Sequence, residues 1–215
     1  WGQFLDHDID LSGEPEDESQ LESFDIEVRL VPNEEGNKAS LHCRIGPAID
    51  GGVILSGHMD VVPVAGQDWT TDPFTLTDKG DGKLYGRGSC DMKGFLACCL
   101  AALPQMVEAD LKKPIYFAFS YDEEVGCLSA PELARAIRTD YKETPKYAII
   151  GEPSLMEPIV GQKGIYILET YVNGSAGHSS RIKQEVSAIH EAMRLILWLE
   201  KKMDQLIADN RLDER

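Results

Sequence analysis

Long apolar runs are missing from this sequence. No stretch reaches the roughly 18 consecutive apolar residues that a membrane-spanning helix needs, and no basic-then-apolar leader opens the chain. A cytoplasmic protein with no membrane partner is the expectation. Basic residues are scarce as well: 21 Lys and Arg against 37 Asp and Glu leave a formal charge of −16. Such a surface repels phosphate backbones, so no nucleic acid partner is expected, while divalent cations and cationic small molecules are attracted. A disulfide framework is also absent. Cys43, Cys90, Cys98, Cys99 and Cys127 are odd in number and include an adjacent pair, which fits free thiols in a reducing compartment. No Cys-x-x-Cys or Cys–His spacing suggests a structural zinc site, and Cys98 and Cys99, inside an apolar run, are expected to be small buried core residues.

What remains is an ordinary globular composition, 42% hydrophobic and 27% charged, able to bury a core. Residues 12–23 are acidic, contain Gly and Pro, and read as a solvated linker. Strands are expected at Phe24–Leu30, Leu41–Ile45, Gly52–Gly57, Pro114–Ser120 and Lys146–Ile150, several of them continuously apolar as sheet interiors are. Between them, Asp91 reads as the N-cap of a helix over Met92–Val107 that Pro104 should kink or end early. Ser129 reads as the cap of a second helix reaching Ile137. Strand, helix, strand, helix, strand gives an α/β fold, with a mixed sheet flanked by helices. Beyond Pro158 the pattern changes to an alternating strand over Gly164–Asn173, a Gly-Ser turn and an amphipathic helix from Glu185 to about Ala208. A β-then-α unit with no following strand cannot close a sheet, so the chain is expected to stop partway through a second domain.

The chemistry-bearing residues fall at strand ends. His58-Met-Asp60 follows the strand ending at Gly57, and a carboxylate two residues from a histidine can hold one ring nitrogen while the other binds a metal. A satisfied core histidine is an equal alternative for that pair alone. Asp91 follows a glycine-rich turn, Asp122-Glu-Glu124 follows Ser120, and Glu152 follows Gly151. Each acid in isolation reads as a cap or a solvated loop residue. Together, His58, Asp60, Asp91, Glu123, Glu124 and Glu152 converge on one end of one sheet, where α/β folds hold ligands. Carboxylates that converge repel one another, and oxygen ligands plus one imidazole suit zinc or a similar divalent ion, with a bridging carboxylate able to hold two.

The segments SGHMDVVP (56–63), YGRGSCDMKG (85–94), SYDEEVG (120–126), GEPS (151–154) and GSAGHSS (174–180) resemble the di-zinc amidohydrolase and metallopeptidase family. Its members include deacetylases, desuccinylases and aminoacylases of N-acyl amino acids. The resemblance covers roughly residues 29–210. It implies two zinc ions, with His58 and Glu152 on one, Glu124 on the other and Asp91 bridging both. Asp60 would orient His58, and Glu123 would be the general base that deprotonates the attacking water and returns the proton to the leaving amine. A non-proline cis peptide bond at Asp91–Met92 is implied too. The wording between the motifs (GQDWTTDPFTL, GQKGIY) lies nearest the branch that converts N-acetylornithine to ornithine and acetate in arginine biosynthesis. Desuccinylases and carboxypeptidases of the same family are alternatives, as is a non-catalytic metal-binding fragment. In the family the second domain is a lid that makes a homodimer, and His178 would reach a partner's site to stabilise the oxyanion; the alternative is an exposed turn histidine beside Ser179 and Ser180.

Two departures accompany the resemblance. The family's remaining zinc ligand is a histidine near the C-terminus of a longer chain, and no histidine follows His190 here, so one zinc site is expected to be incomplete and activity impaired. At the other end, Trp1–Leu11 resembles the distal haem segment of animal-type haem peroxidases, which implies Gln3 and His7 over a haem, Asp6 linked to it and Asp8 on calcium. A proximal histidine and a helical scaffold are not evident, so a passenger segment is expected rather than a haem site. The expected domains are 1–28, the peroxidase-like segment and linker; 29–162, a partial zinc hydrolase domain; and 163–215, the start of the lid.

Overall fold

The computed structural model describes residues 24–178, 180, 186–209 and 211. The peroxidase-like segment with Gln3, Asp6, His7 and Asp8, and the acidic linker, lie outside these residues. The described chain falls into two units, one ending at Ile159 and one from Val160 to Arg215.

In the first unit, β1 (Val28–Pro32), β2 (Ala39–Ile45), β3 (Val53–His58), β6 (Ile115–Ser120) and β7 (Tyr147–Ile150) form one sheet in the order β1-β2-β6-β3-β7. A two-stranded ribbon, β4 (Thr77–Asp78) with β5 (Leu84–Tyr85), stands apart from it. β1 pairs antiparallel with β2 and β2 antiparallel with β6, whereas β3 lies parallel to both β6 and β7. The sheet is therefore mixed, as expected for this α/β chain. Parallel alignment has a direct consequence: residues that follow His58, Ser120 and Ile150 all emerge at the same edge.

Period-2 alternation divides the core between the two faces. Phe117 and Phe119 of β6 join Leu41, Cys43 and Ile45 of β2 in a cluster with Leu96, Cys99 and Leu103 of α1 (Lys93–Glu108). Tyr116 and Ala118 face the other way, against Leu133, Ile137 and Tyr141 at and beyond α2 (Ala130–Asp140). Each face of the central strand β6 is thus covered by one helix, which is why its sequence is apolar without a break.

Several local expectations are corrected. α1 is capped at Met92, with no side-chain cap bond, because the Asp91 carboxylate is engaged by His58. Pro104 lies inside α1, which continues to Glu108; burial of Leu103 against the sheet outweighs the missing N–H of the proline. Ser129 precedes α2 but makes no side-chain cap bond; its hydroxyl donates to the Tyr121 carbonyl instead. Cys99 is buried as expected, but Cys98 is exposed, since only one of two adjacent helix positions can face the sheet.

In the second unit, Gly164–Asn173 carries no strand pairing and Ile165, Tyr166, Ile167 and Leu168 are exposed. Alternation makes a strand only where an edge accepts its backbone, and none of the described residues pairs with it. α3 (Ala188–Ala208) begins where Ser187 accepts from the His190 N–H, and its predicted start at Glu185 lies outside the described residues. No helix among them is long and apolar enough to cross a membrane.

Gly52 offers a check on the sheet. Its φ of +89° is a region that favours glycine, and a Cβ there would stand 2.2 Å from the Pro114 carbonyl oxygen, on the backbone that registers β3 with β6. Gly52→Ala is expected to destabilise the chain by about 3 kcal/mol in urea denaturation. An unchanged midpoint would contradict this packing.

Candidate metal centre

The site begins with a buried base. His58 ends β3, its side chain 2% exposed. Its ring Nδ1 lies 2.9 Å from the Asp60 main-chain oxygen and 3.4 Å from Asp60 Oδ1. A carbonyl can only accept, so Nδ1 carries a hydrogen and Nε2 is the nitrogen turned toward the other acids. Around Nε2 stand Asp91 Oδ1 at 3.0 Å, Glu152 Oε1 at 3.8 Å and Glu123 Oε2 at 3.9 Å. Their side chains remain 54%, 45% and 36% exposed, so the histidine forms the floor of the site and the carboxylates form its open rim.

Asp60 fixes more than the imidazole. Its Oδ1 accepts from the Glu123 N–H at 3.1 Å and its Oδ2 from the Glu124 N–H at 3.0 Å. One carboxylate thereby ties the turn after β6 to the end of β3. Burial alone would raise the Asp60 pKa, but the bonds from His58 and from these two N–H groups hold it below the usual carboxylate range.

Two overlapping groups of ligand atoms result: His58, Asp91 and Glu152, and His58, Glu123 and Glu124, each with all atoms within 4.8 Å of one another. Of the residues singled out from sequence, His58, Asp60, Asp91, Glu123, Glu124 and Glu152 are brought together. His178 lies in the second unit, exposed, with Nδ1 2.8 Å from Ser180 Oγ. The peptide bond Asp91–Met92 is cis.

Sequence reasoning passed over the residues beneath the site. Met92 is fully buried, and its sulfur accepts from the His58 N–H at 3.2 Å. Gly57 and Gly151, at the ends of β3 and β7, leave the space that Met92, Leu96 and Phe95 fill. A glycine closing each of two apolar strands was the available signal. An open hollow outside the site, about 580 Å³ among Asp50, Lys113, Thr144 and Lys146, lies at the opposite, amino ends of β3 and β7.

The electrostatics are unbalanced in one direction. Burial, then the charges of Asp91 and neighbouring acids, raise the pKa values of Glu124 and Glu152, with His58 as the opposing influence. Burial opposes the His58 cation, yet its bonds to Asp60 and Asp91 prevail and raise its pKa to about 9. Five acids around one imidazole are short of positive charge, and the donor set, one nitrogen and several carboxylate oxygens, fits a divalent ion such as zinc.

A mixed α/β sheet that gathers an imidazole and acids at its carboxyl edge is the framework of a metallohydrolase. Residues 54–206 match the model of peptidase family M20/M25/M40, and the chain belongs to that family. It is 40% identical over 187 residues to an acetylornithine deacetylase from Shigella sonnei (strain Ss046), a match covering 85% of this chain and 46% of that protein. The chain thus spans about half the length of that curated relative. Among solved structures it is similar to human carnosine dipeptidase 1, at 30% identity and a TM-score of 0.51, over 61% of this chain and 30% of that one. A tripeptidase from Staphylococcus aureus shares the fold over 90% of this chain and 53% of its own, at 21% identity and a TM-score of 0.56.

Both ring nitrogens of His58 face oxygen acceptors and its pKa is raised to about 9, so a metal bound at Nε2 would displace the proton held there. Acid therefore favours the metal-free form. Zinc binding is expected to release about one proton from His58, with apparent affinity rising about tenfold per pH unit and levelling above the His58 pKa. Calorimetry in buffers of different ionisation enthalpy measures this, and a pH-independent affinity between pH 6.5 and 9 would refute it.

Proposed function

We propose that this chain carries the catalytic centre of a metal-dependent amidohydrolase that cleaves the amide of an N-acyl amino acid, with N-acetylornithine the preferred substrate. The observation that carries this reading is the convergence of His58, Asp91, Glu123 and Glu152 at one strand edge, within a chain 40% identical to an acetylornithine deacetylase.

His58, Asp91 and Glu152 would hold one divalent ion, and Glu124, with Asp91 shared, would contribute to a second, both taken to be zinc. When bound, such ions polarise the acyl carbonyl and make an attacking water more acidic. The chain's own residues do the rest. Asp60 keeps the Nδ1 hydrogen of His58 in place and so presents Nε2 outward. The same carboxylate anchors the Glu123 main chain, which sets the Glu123 carboxylate at the rim, part exposed, where it can take a proton from water and give it to the leaving amine. Acetate and ornithine would leave as products. The rim is open to solvent, so small polar substrates can reach it.

The likeness to a carnosine dipeptidase supports dipeptide cleavage as a second reading of the same chemistry. Both are tested together. The zinc-loaded chain is expected to hydrolyse N-acetylornithine faster than an N-succinyl amino acid or a dipeptide. Glu123→Gln is expected to lower kcat about 10²- to 10⁴-fold while retaining zinc. Zinc binding without hydrolysis of any of the three substrates would replace the enzyme reading with that of a metal-binding chain, and faster dipeptide cleavage would favour the second reading.

A further inference from the structure

The first turn of α1 lies across the carboxyl ends of β3 and β7, and both ends are glycine where it crosses. Over Gly57, an added Cβ would stand 2.6 Å from Met92 Cε and 2.8 Å from Leu96 Cδ2. Over Gly151, it would stand 2.0, 2.2 and 2.4 Å from Phe95 Cγ, Cδ1 and Cδ2. The two obstacles differ in kind. Methionine Cε is the free end of a flexible chain and can swing away. Phe95 Cγ is the root of a rigid ring, one bond from its own Cβ, and leaves only by a change of χ1 or a shift of the helix.

Gly151 is not demanded by backbone conformation, since its φ lies outside the left-handed region. What matters is its missing side chain. Its N–H donates to the Ser56 carbonyl at 3.0 Å, which pins the end of β7 to β3 and leaves the turn little room to yield. Glu152 is the next residue, and Asp91 lies four residues before Phe95. The ring therefore sits between the segments that carry two of the three carboxylates facing His58.

We propose that Phe95 and Gly151 are a positioning pair: the ring seated on bare glycine backbone sets the separation of Asp91 from Glu152, and with it the aperture of the cation site. This rests on the reading of His58, Asp91 and Glu152 as metal ligands, and neither member of the pair touches the ion. Relieving a 2.0 Å approach to ordinary carbon–carbon contact needs a displacement of about 1.5 Å. Metal–ligand distances tolerate only about 0.2 Å. A single methyl group at position 151 is thus enough to separate the ligands, and removal of the ring should restore them.

Zinc affinity and the cobalt(II) absorption spectrum, measured on the full chain as wild type, Gly151→Ala, Phe95→Ala and the double variant, test the pair. Gly151→Ala is expected to bind zinc about 10- to 100-fold more weakly and to lose the wild-type cobalt spectrum. The double variant is expected to bind within about threefold of Phe95→Ala alone, because the added methyl then occupies the vacated ring space. Wild-type affinity in Gly151→Ala overturns the pair, as does a double variant that recovers no binding, including the case in which Gly151→Ala is too unstable to assay. A wild-type chain that binds no zinc overturns the metal-site reading itself, so the two failures are distinct.

Discussion

Everything at the strand edge depends on Asp60. Its side chain is less exposed than those of Asp91, Glu123 and Glu152, and it serves three donors at once: the His58 ring and the main-chain N–H groups of Glu123 and Glu124. Were Asp60 neutral, His58 would lose the charge beside its Nδ1 and the turn after β6 would lose one of its two carboxylate acceptors, leaving the bond from Nδ1 to the Asp60 main-chain oxygen. Among the outer carboxylates, Asp91 is held by the His58 ring and Glu123 accepts from the Cys127 thiol. The site therefore has a rigid interior built from hydrogen bonds and a rim built from charges that repel, which a cation can draw together.

A second polar cluster in the same unit shows what a balanced one looks like. On the α2 side of the sheet, the Tyr141 ring lies between the guanidinium groups of Arg29 and Arg44, with His42 edge-on. Arg29 pairs with Asp140, and Arg44 with Glu143, which also accepts from the Tyr116 hydroxyl. Burial there lowers the His42 pKa, with Asp140 opposing and Arg29 adding to the shift, the reverse of the outcome at His58. Each guanidinium there has a carboxylate partner, and these pairs tie the C-terminal end of α2 and the residues after it to β1 and β2. At the strand edge five carboxylates surround one imidazole, a surplus that a bound cation would balance.

The two units differ in the same sense that a covered face differs from a bare one. α1 and α2 each bury residues against the sheet, whereas α3 buries none of its own among the described residues. Its apolar positions, Ile189, Met193, Ile196, Leu197 and Met203, remain exposed, as does the alternating stretch at 165–168. Helical periodicity is satisfied locally by hydrogen bonds within α3, so the helix forms; strand alternation has no such internal solution, so residues 164–173 stay without a ladder.

The same distinction explains which parts of the site were legible in the sequence. The buried strands announce themselves by apolar runs, and the acids after them share an edge because parallel strands share a direction; both facts follow from pattern alone. Asp91 and Ser129 misled because each has the composition and position of a helix cap, and a cap is a local solution. In the folded chain each was recruited by a distant partner instead, Asp91 by His58 and Ser129 by the Tyr121 carbonyl. A residue whose local use is obvious but whose side chain is spent elsewhere is one that tertiary structure has claimed. That is the condition under which Asp91, a ready cap by its neighbours, stands 3.0 Å from a buried imidazole. The glycines under α1 escaped notice for the converse reason: a missing side chain has no pattern of its own, and its meaning lies entirely in the ring that fills its place.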